Sequence, residues 1–313
     1  AFLWGDLFTL PVMGSSVGDL PDASAAHSGR IYFTIRTRLL PLRLFSDMMK
    51  ALKEKKRDTG QPFLAPDAHH LHRHPVGMGN LVGVVAAVSL GGAGAVFWMW
   101  VTALLGASTA FVEAALAQKY KEPDPLYGGY HGGPAYYIHH FVEAKTGKTL
   151  RHSLTASLFA ISGLICWCGI SQVISNSVSS AMKNAFHIPP LYTTIFLVVV
   201  AAIVVLRKNA TVHVLDVIVP IMAGCYLLIT LFVIIKNIGA LPSVFQRIFE
   251  EAFGLRQVAA GGFGAVLMNG IKRGLFSNEA GSGSAPCAAA AADVSHPAKA
   301  GLMQHSVSLS IPS

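Results

Sequence analysis

The sequence predicts an all-α, polytopic membrane protein. Composition is the first reason. Of 313 residues, 52% are hydrophobic and 13% charged, about half the charged share of roughly 25% in ordinary soluble domains. The mean hydropathy is +0.50. The second reason is a series of apolar stretches near the length of about 20 residues that a helix needs to cross a bilayer. The third is the placement of the basic residues. This balance excludes a disordered chain and an ordinary soluble enzyme. The net charge of +8 points to membrane-side loops, not nucleic acid, because cytoplasmic loops collect Lys and Arg.

Residues 81–90 and 93–117 are two apolar blocks parted by Gly91 and Gly92. Residues 154–182, 191–206 and 214–235 follow as three more. A sixth, 258–292, is interrupted at 270–274, where Gly270 and Gly274 flank Lys272 and Arg273, and again at 277–286. Arg36, Arg38, Arg43, Lys50, Lys53, Lys55, Lys56 and Arg57 crowd one linker. Lys119, Lys121, Lys145, Lys148, Arg151, Arg207, Lys208 and Lys299 fall on the same side when the spans are counted in turn. That side is expected to be cytoplasmic. Residues 239–257 are expected to form an outer interfacial helix, with Val244, Ile248 and Phe253 on the membrane and Gln246 and Glu250 toward water. The cysteines, Cys166, Cys168, Cys225 and Cys287, lie in or beside apolar stretches and read as small buried hydrophobes, not a disulfide framework. No shorter signal-peptide pattern opens the chain.

Glycine pairs in apolar helices carry a further meaning. Transporters built from inverted repeats bind substrate where helices of the two halves are broken in corresponding positions. Gly77 and Gly79 are expected to break one helix, Gly281 and Gly283 another five spans later. A broken helix offers N–H groups to a carboxylate and carbonyls to an ammonium or a cation. Asn80, beside the first break, is a candidate to meet a substrate or ion oxygen, or to bond a neighbouring helix. Ser277, Asn278 and Glu279 lie at the second. Glu279 is a candidate to bind a cation, to carry a proton, or to pair with Arg273 or Lys272, since intramembrane carboxylates are rare and functional. Glu113 reads either as an ion relay or as a partner for a neighbouring helix. Gln172 and Asn176, four apart, share one helix face and line either a substrate path or an interhelical contact. Trp98 and Trp100 read as interfacial anchors.

The string 91–106, GGAGAVFWMWVTALLG, resembles the signature of the alanine or glycine:cation symporter family. So do 76–80 (VGMGN), 132–137 (GGPAYY) and 273–286 (RGLFSNEAGSGSAP), and, near the N-terminus, 3–5 and 31–36. The resemblance runs from about residue 1 to about residue 304. It implies a partial leucine-transporter-like inverted-repeat fold and a secondary active transporter, not an enzyme. The implied activity is sodium-coupled symport of alanine or glycine across the cytoplasmic (inner) membrane, with protons as the other candidate coupling ion. Its partners would be alanine or glycine, sodium or a proton, and the lipid bilayer, with no nucleic acid, no metal centre and no cofactor beyond the coupling ion. The candidate substrate-binding residues are then Gly77, Gly79, Asn80, Phe276, Ser277, Asn278, Gly281 and Gly283, together with Gln172, which departs from the family's usual glutamine position, and the ion-coupling candidates are Glu113 and Glu279.

Three segments depart from the family pattern. Residues 19–30 and 67–75 are polar where apolar helix is expected, and 305–313 reads as an out-of-frame tail. A shifted reading frame permits an apolar helix at 19–30 and a run ending Ser-Thr-Ala-Thr-Arg at 67–75, and comes close to forcing an apolar helix at 305–313. His69, His70, His72 and His74 match no standard zinc spacing. The expected organisation is therefore an N-terminal segment and basic linker (1–60), a first repeat (61–238), the interfacial helix (239–257), the first helix of a second repeat (258–304) and the tail. On this reading the alternative to a working symporter is a truncated transporter fragment without transport activity.

Overall fold

Glycine and proline punctuate a chain of apolar helices. The computed structural model describes residues 11–12, 15–16, 19–38, 40–44, 46–48, 78–125, 129–206, 210–254, 262–278, 281–292, 294 and 296–310. In chain order the helices are α1 (Asp19–Arg36), α2 (Leu40–Arg43), α3 (Met78–Gly91), α4 (Gly94–Lys119), α5 (Pro134–Thr146) and α6 (Leu154–Phe186). They continue with α7 (Pro190–Leu206), α8 (Ala210–Lys236), α9 (Leu241–Ala252), α10 (Gly262–Asn278), α11 (Ser284–Ala291) and α12 (Pro297–Ser310). Two short antiparallel hairpins accompany them. One pairs β1 (Pro11–Val12) with β2 (Ser15–Ser16), the other β3 (Glu122–Pro123) with β4 (Tyr130–His131). Among the described residues, Gly94–Lys119 and Leu154–Phe186 are long and apolar enough to cross a membrane, and 82–91 and 190–203 are shorter apolar helices.

The chain divides into two compact units, residues 1–163 with 243–313, and residues 164–242. In the first, α12, α10, α11, α1 and α3 all pack on α4. Small residues make this possible. A Cβ on Gly270 would lie 2.6 Å from the Ala95 carbonyl oxygen and from Trp98 Cβ. One on Gly274 would lie 2.9 Å from Thr102 Cβ, and one on Gly301 2.7 Å from Phe111 Cδ2. Gly270 and Gly274 are the small–xxx–small pattern that lets membrane helices touch backbone to backbone. The interruption expected at 270–274 is therefore not a break. α10 runs through it, because its glycines face another helix and need no turn. The core between these helices is small too: Ala87, Ala95 and Met99 at one level, and Ala114, Ala289, Ala292, Ala300 and Met303 at another.

Gly91 ends α3 and Gly92, at φ +77°, turns the chain into α4. The start of α4 is capped from 158 residues away. Glu251 Oε2 accepts from the N–H groups of Ala93 (2.6 Å) and Gly94 (3.3 Å), and its Oε1 accepts from Arg247 Nε at 2.6 Å. A carboxylate at a helix N-terminus satisfies orphan donors and meets the positive end of the dipole. Burial works against its ionisation, but these hydrogen bonds prevail and hold the Glu251 carboxyl below the usual range. Trp98 Nε1 donates to the Ala252 carbonyl at 3.1 Å, and Phe97 meets Phe249 and Phe253 edge-on or tilted. α9 thus docks on α4. Val244 and Phe253 are exposed, and Gln246 bonds Glu250. Ile248 is the exception: it is buried, because that face covers the start of α4.

α12 extends to Ser310, through the stretch read as out of frame, and His305 is 1% exposed with Nδ1 2.7 Å from the Ala107 carbonyl oxygen. In the second unit, the remainder of α6 with α7 and α8 turns Trp167, Phe196, Leu227, Leu228 and Phe232 outward. Such faces suit hydrocarbon, not water. Pro190 opens α7 at the position where a missing N–H costs nothing. All four cysteines are free. Cys168 and Cys225 are exposed on these apolar helices, and Cys166 and Cys287 are half-buried. This corrects the reading of all four as buried: small apolar side chains are equally at home facing lipid.

Gly270→Val is expected to lower stability by about 1–3 kcal/mol through overpacking, measured by unfolding in detergent. Gly163→Ala, where a Cβ meets nothing within 4 Å, should cost nothing. Glu251→Gln should cost about 0.5–2 kcal/mol as a lost cap. Because the folded-state carboxyl titrates low, its contribution is present above the unfolded value of about 4.3 and is lost as pH falls through the folded one. Acidification below about pH 4 should therefore destabilise the wild type more than Glu251→Gln.

Candidate functional site

α10 ends at Asn278 and α11 begins at Ser284. Gly281 (φ +92°) and Gly283 (φ +91°) take the left-handed conformation between them, which side chains with a Cβ rarely adopt. The second break thus stands where the glycines place it. Around it the structure builds a polar girdle on α4. The Gly281 N–H donates to Glu113 Oε2 at 3.1 Å. Asn278 Nδ2 donates to the Ala103 carbonyl at 3.3 Å. Gln118 Nε2 donates to the Ala292 carbonyl at 2.6 Å and to that of Ala289, and Lys121 Nζ reaches the Ala292 carbonyl at 3.3 Å. The open end of α10, the turn, and the last turn of α11 are each tied to one helix.

The girdle has a second layer. Arg30 of α1 is buried, and its Nη1 lies 2.9 Å from where a Cβ on Gly106 would sit, a point that Asn278 Nδ2 also crowds. Arg30 is an electrostatic neighbour of Glu113. Gly106 is thus the gap through which a cation from α1 and an amide from α10 reach the same stretch of α4. Asn278 is 3% exposed, and its Oδ1 is a buried acceptor with no hydrogen-bond partner among the described residues. A buried acceptor in that state is costly unless something else occupies it. Ser277 is buried beside it. Phe276 lies against α3, with its Cδ1 3.7 Å from the Cβ position of Gly83.

Of the residues singled out in the sequence, Phe276, Ser277, Asn278, Gly281, Gly283 and Glu113 come together around this break. Glu113 accepts from the backbone of the turn at Gly281. Gly79 and Asn80 lie in the first turn of α3, one turn ahead of Gly83. Gln172 and Asn176 are exposed on α6 in the other unit. Gly77, Glu279 and the histidines at 69–74 lie outside the described residues. Sequence reasoning missed Arg30, Gln118 and Glu251. Gln118 and Glu251 bond to partners more than 150 residues away, and no local pattern marks them. The one signal open to view was a Gln and an Arg inside or beside apolar helix.

A family model described as the sodium:alanine symporter family matches residues 27–309. The amino-acid carrier protein AlsT of Bacillus subtilis is 42% identical over 281 residues, 88% of this chain and 57% of the relative. The probable sodium/glutamine symporter GlnT of the same organism is 41% identical over 88% of this chain and 56% of its own length. The sodium/alanine symporter AgcS of Methanococcus maripaludis is 33% identical over 97% of this chain and 64% of its own length. The chain therefore spans little more than half the length of the first two.

Glu113→Ala is expected to speed amide hydrogen exchange at residue 281 several-fold, since the Gly281 N–H loses a hydrogen bond worth about 0.5–1.5 kcal/mol. Glu113→Gln keeps an acceptor oxygen and should show a smaller effect. Equal exchange in all three proteins would mean that Glu113 does not hold the turn.

Proposed function

The chain belongs to the sodium:alanine symporter family, and from that membership we propose that it forms part of a secondary transporter. This transporter moves alanine or glycine across the cytoplasmic membrane together with sodium. The observation that carries the reading is the α10–α11 break held on α4, with Asn278 Oδ1 buried and open beside it. Names among the relatives mention alanine and glutamine. Both are neutral α-amino acids, alike in the carboxylate and ammonium that a broken helix is equipped to bind.

The first N–H groups of α11 meet the substrate carboxylate, where the positive end of the helix dipole points. The last carbonyls of α10 meet the ammonium or the sodium ion. Gly77, Gly79 and Asn80 supply the matching surface from the first break, with Phe276 and Ser277 closing it. Gly281, with nothing within 4 Å of its Cβ position, leaves room for the backbone of a small amino acid, while Gly283 is packed against Pro134 and Phe159. Glu279 is the carboxylate available for the cation or a proton, while Glu113 fixes the turn. Access alternates by rocking one helix bundle against another around the fixed site. Coupling follows because sodium and substrate stabilise the same arrangement, so each raises the affinity for the other.

Uptake of labelled alanine by cells expressing the chain should depend on an inward sodium gradient and fall sharply with Asn278→Ala. Uptake that ignores sodium would overturn the coupling. No uptake, while a relative imports alanine under the same conditions, would favour the fragment without transport activity.

A further inference from the structure

Beyond the break, six titratable side chains line up where α4 gives way to the β3–β4 hairpin and α5. His139 Nε2 lies 3.6 Å from Glu143 Oε1, and Glu143 Oε2 lies 3.5 Å from His140 Nδ1. His140 Nε2 lies 3.6 Å from Glu122 Oε1, and Glu122 Oε2 lies 3.9 Å from His131 Nε2. His131 Nδ1 then lies 3.9 Å from Asp124 Oδ1. Imidazole and carboxylate alternate along the whole series. Among the described residues no three such groups are arranged to hold a metal ion.

Two of the imidazoles stand between carboxylates. His140 faces a carboxylate oxygen with each ring nitrogen, and so does His131. At 3.5–3.9 Å these are ion-pair distances, and a charged imidazole is attracted by the carboxylates on both of its sides. The other groups facing the pair are aromatic: the Tyr120 ring stacks on His140 and Tyr136 tilts over His131, each at 5.2 Å. Lys119 Nζ stands over the Tyr120 ring, and Lys121 Nζ over the Tyr130 ring while it bonds the end of α11. From α11, Cys287 faces Gly133 and Tyr136.

What the series fastens is the seat of α11. A Cβ on Gly132 would lie 2.9 Å from Ala290 Cβ, and one on Gly133 2.5 Å from Cys287 Sγ. The hairpin and the start of α5 therefore press directly on the second half of the broken helix.

We propose that this series is a proton-operated clasp: charging His131 and His140 closes the β3–β4 hairpin on α5 and fixes the seat of α11. When the imidazoles are neutral, their attraction for Glu122, Asp124 and Glu143 is lost and the clasp loosens. It lies beside Lys119, Lys121 and Lys145, the side that positive residues assign to the cytoplasm, so internal acidity would set how firmly the break is held. The clasp is a regulation of the site proposed above, but its test reads no transport, and its failure is separate from failure of that reading.

The experiment is hydrogen–deuterium exchange of the full chain in nanodiscs at about pH 5.5 and 7.5, on either side of the ordinary histidine range. Rates are corrected for the intrinsic pH dependence of exchange. Wild-type amides at 284–292 should exchange about two- to fivefold more slowly at the acid pH, the scale of partly exposed ion pairs. In the His131→Gln, His140→Gln double variant the difference should vanish while α4 stays as protected as in the wild type. Glu122→Gln, which breaks the series at its middle, should abolish most of it as well. Equal wild-type exchange at both pH values, or a difference that survives in both variants, would overturn the proposal.

Discussion

A helix broken inside a membrane leaves N–H and C=O groups that no water can satisfy, and each costs several kcal/mol in hydrocarbon. The arrangement of this protein follows from how α4 answers that demand. Glu113 takes the N–H of the turn, Gln118 takes the carbonyls at the end of α11, and the Ala103 carbonyl takes the amide of Asn278. These bonds are short enough to form only because Gly270, Gly274 and Gly301 bring α10 and α12 against α4 with no Cβ between. Small residues and polar side chains are two halves of one device. The first sets the distance, and the second uses it.

The same logic reaches the ends of α4. At its start, α4 has orphan donors of its own, and Glu251 meets them from α9, which explains why an amphipathic helix is pinned there by its last turn. At its far end the chain leaves through Tyr120 into the hairpin that seats α11. One helix is thus linked to the interfacial helix, to the break and to the lysine-rich loop. A displacement at any of the three is felt at the other two, because close-packed helices shift as units and do not deform continuously.

Much of this was legible in the sequence, and the remainder shares a physical reason. Gly91 and Gly92, Gly281 and Gly283 could be read locally, since a turn needing positive φ asks for glycine wherever it occurs. The extents of α4 and α7 followed from unbroken apolar runs. Gly270 and Gly274 misled, because the residue that opens a turn is also the residue that lets two helices touch, and only the neighbour decides which. Ile248 misled for the related reason that an amphipathic helix shows its apolar face without showing what covers it. Arg30, Gln118 and Glu251 were silent because their partners stand far away along the chain. The family resemblance located the break but not the side chains that brace it.

The central claim is that α4 holds the turn and the end of α11 as one body. A double-mutant cycle on Glu113→Ala and Gln118→Ala, read as unfolding free energy in detergent, tests it most directly. If one body is held at two points, the two losses should not add, with a coupling of about 0.5 kcal/mol or more. Losses that add within about 0.3 kcal/mol would mean that the break and α11 are braced independently, and the account of α4 as their common support would be wrong.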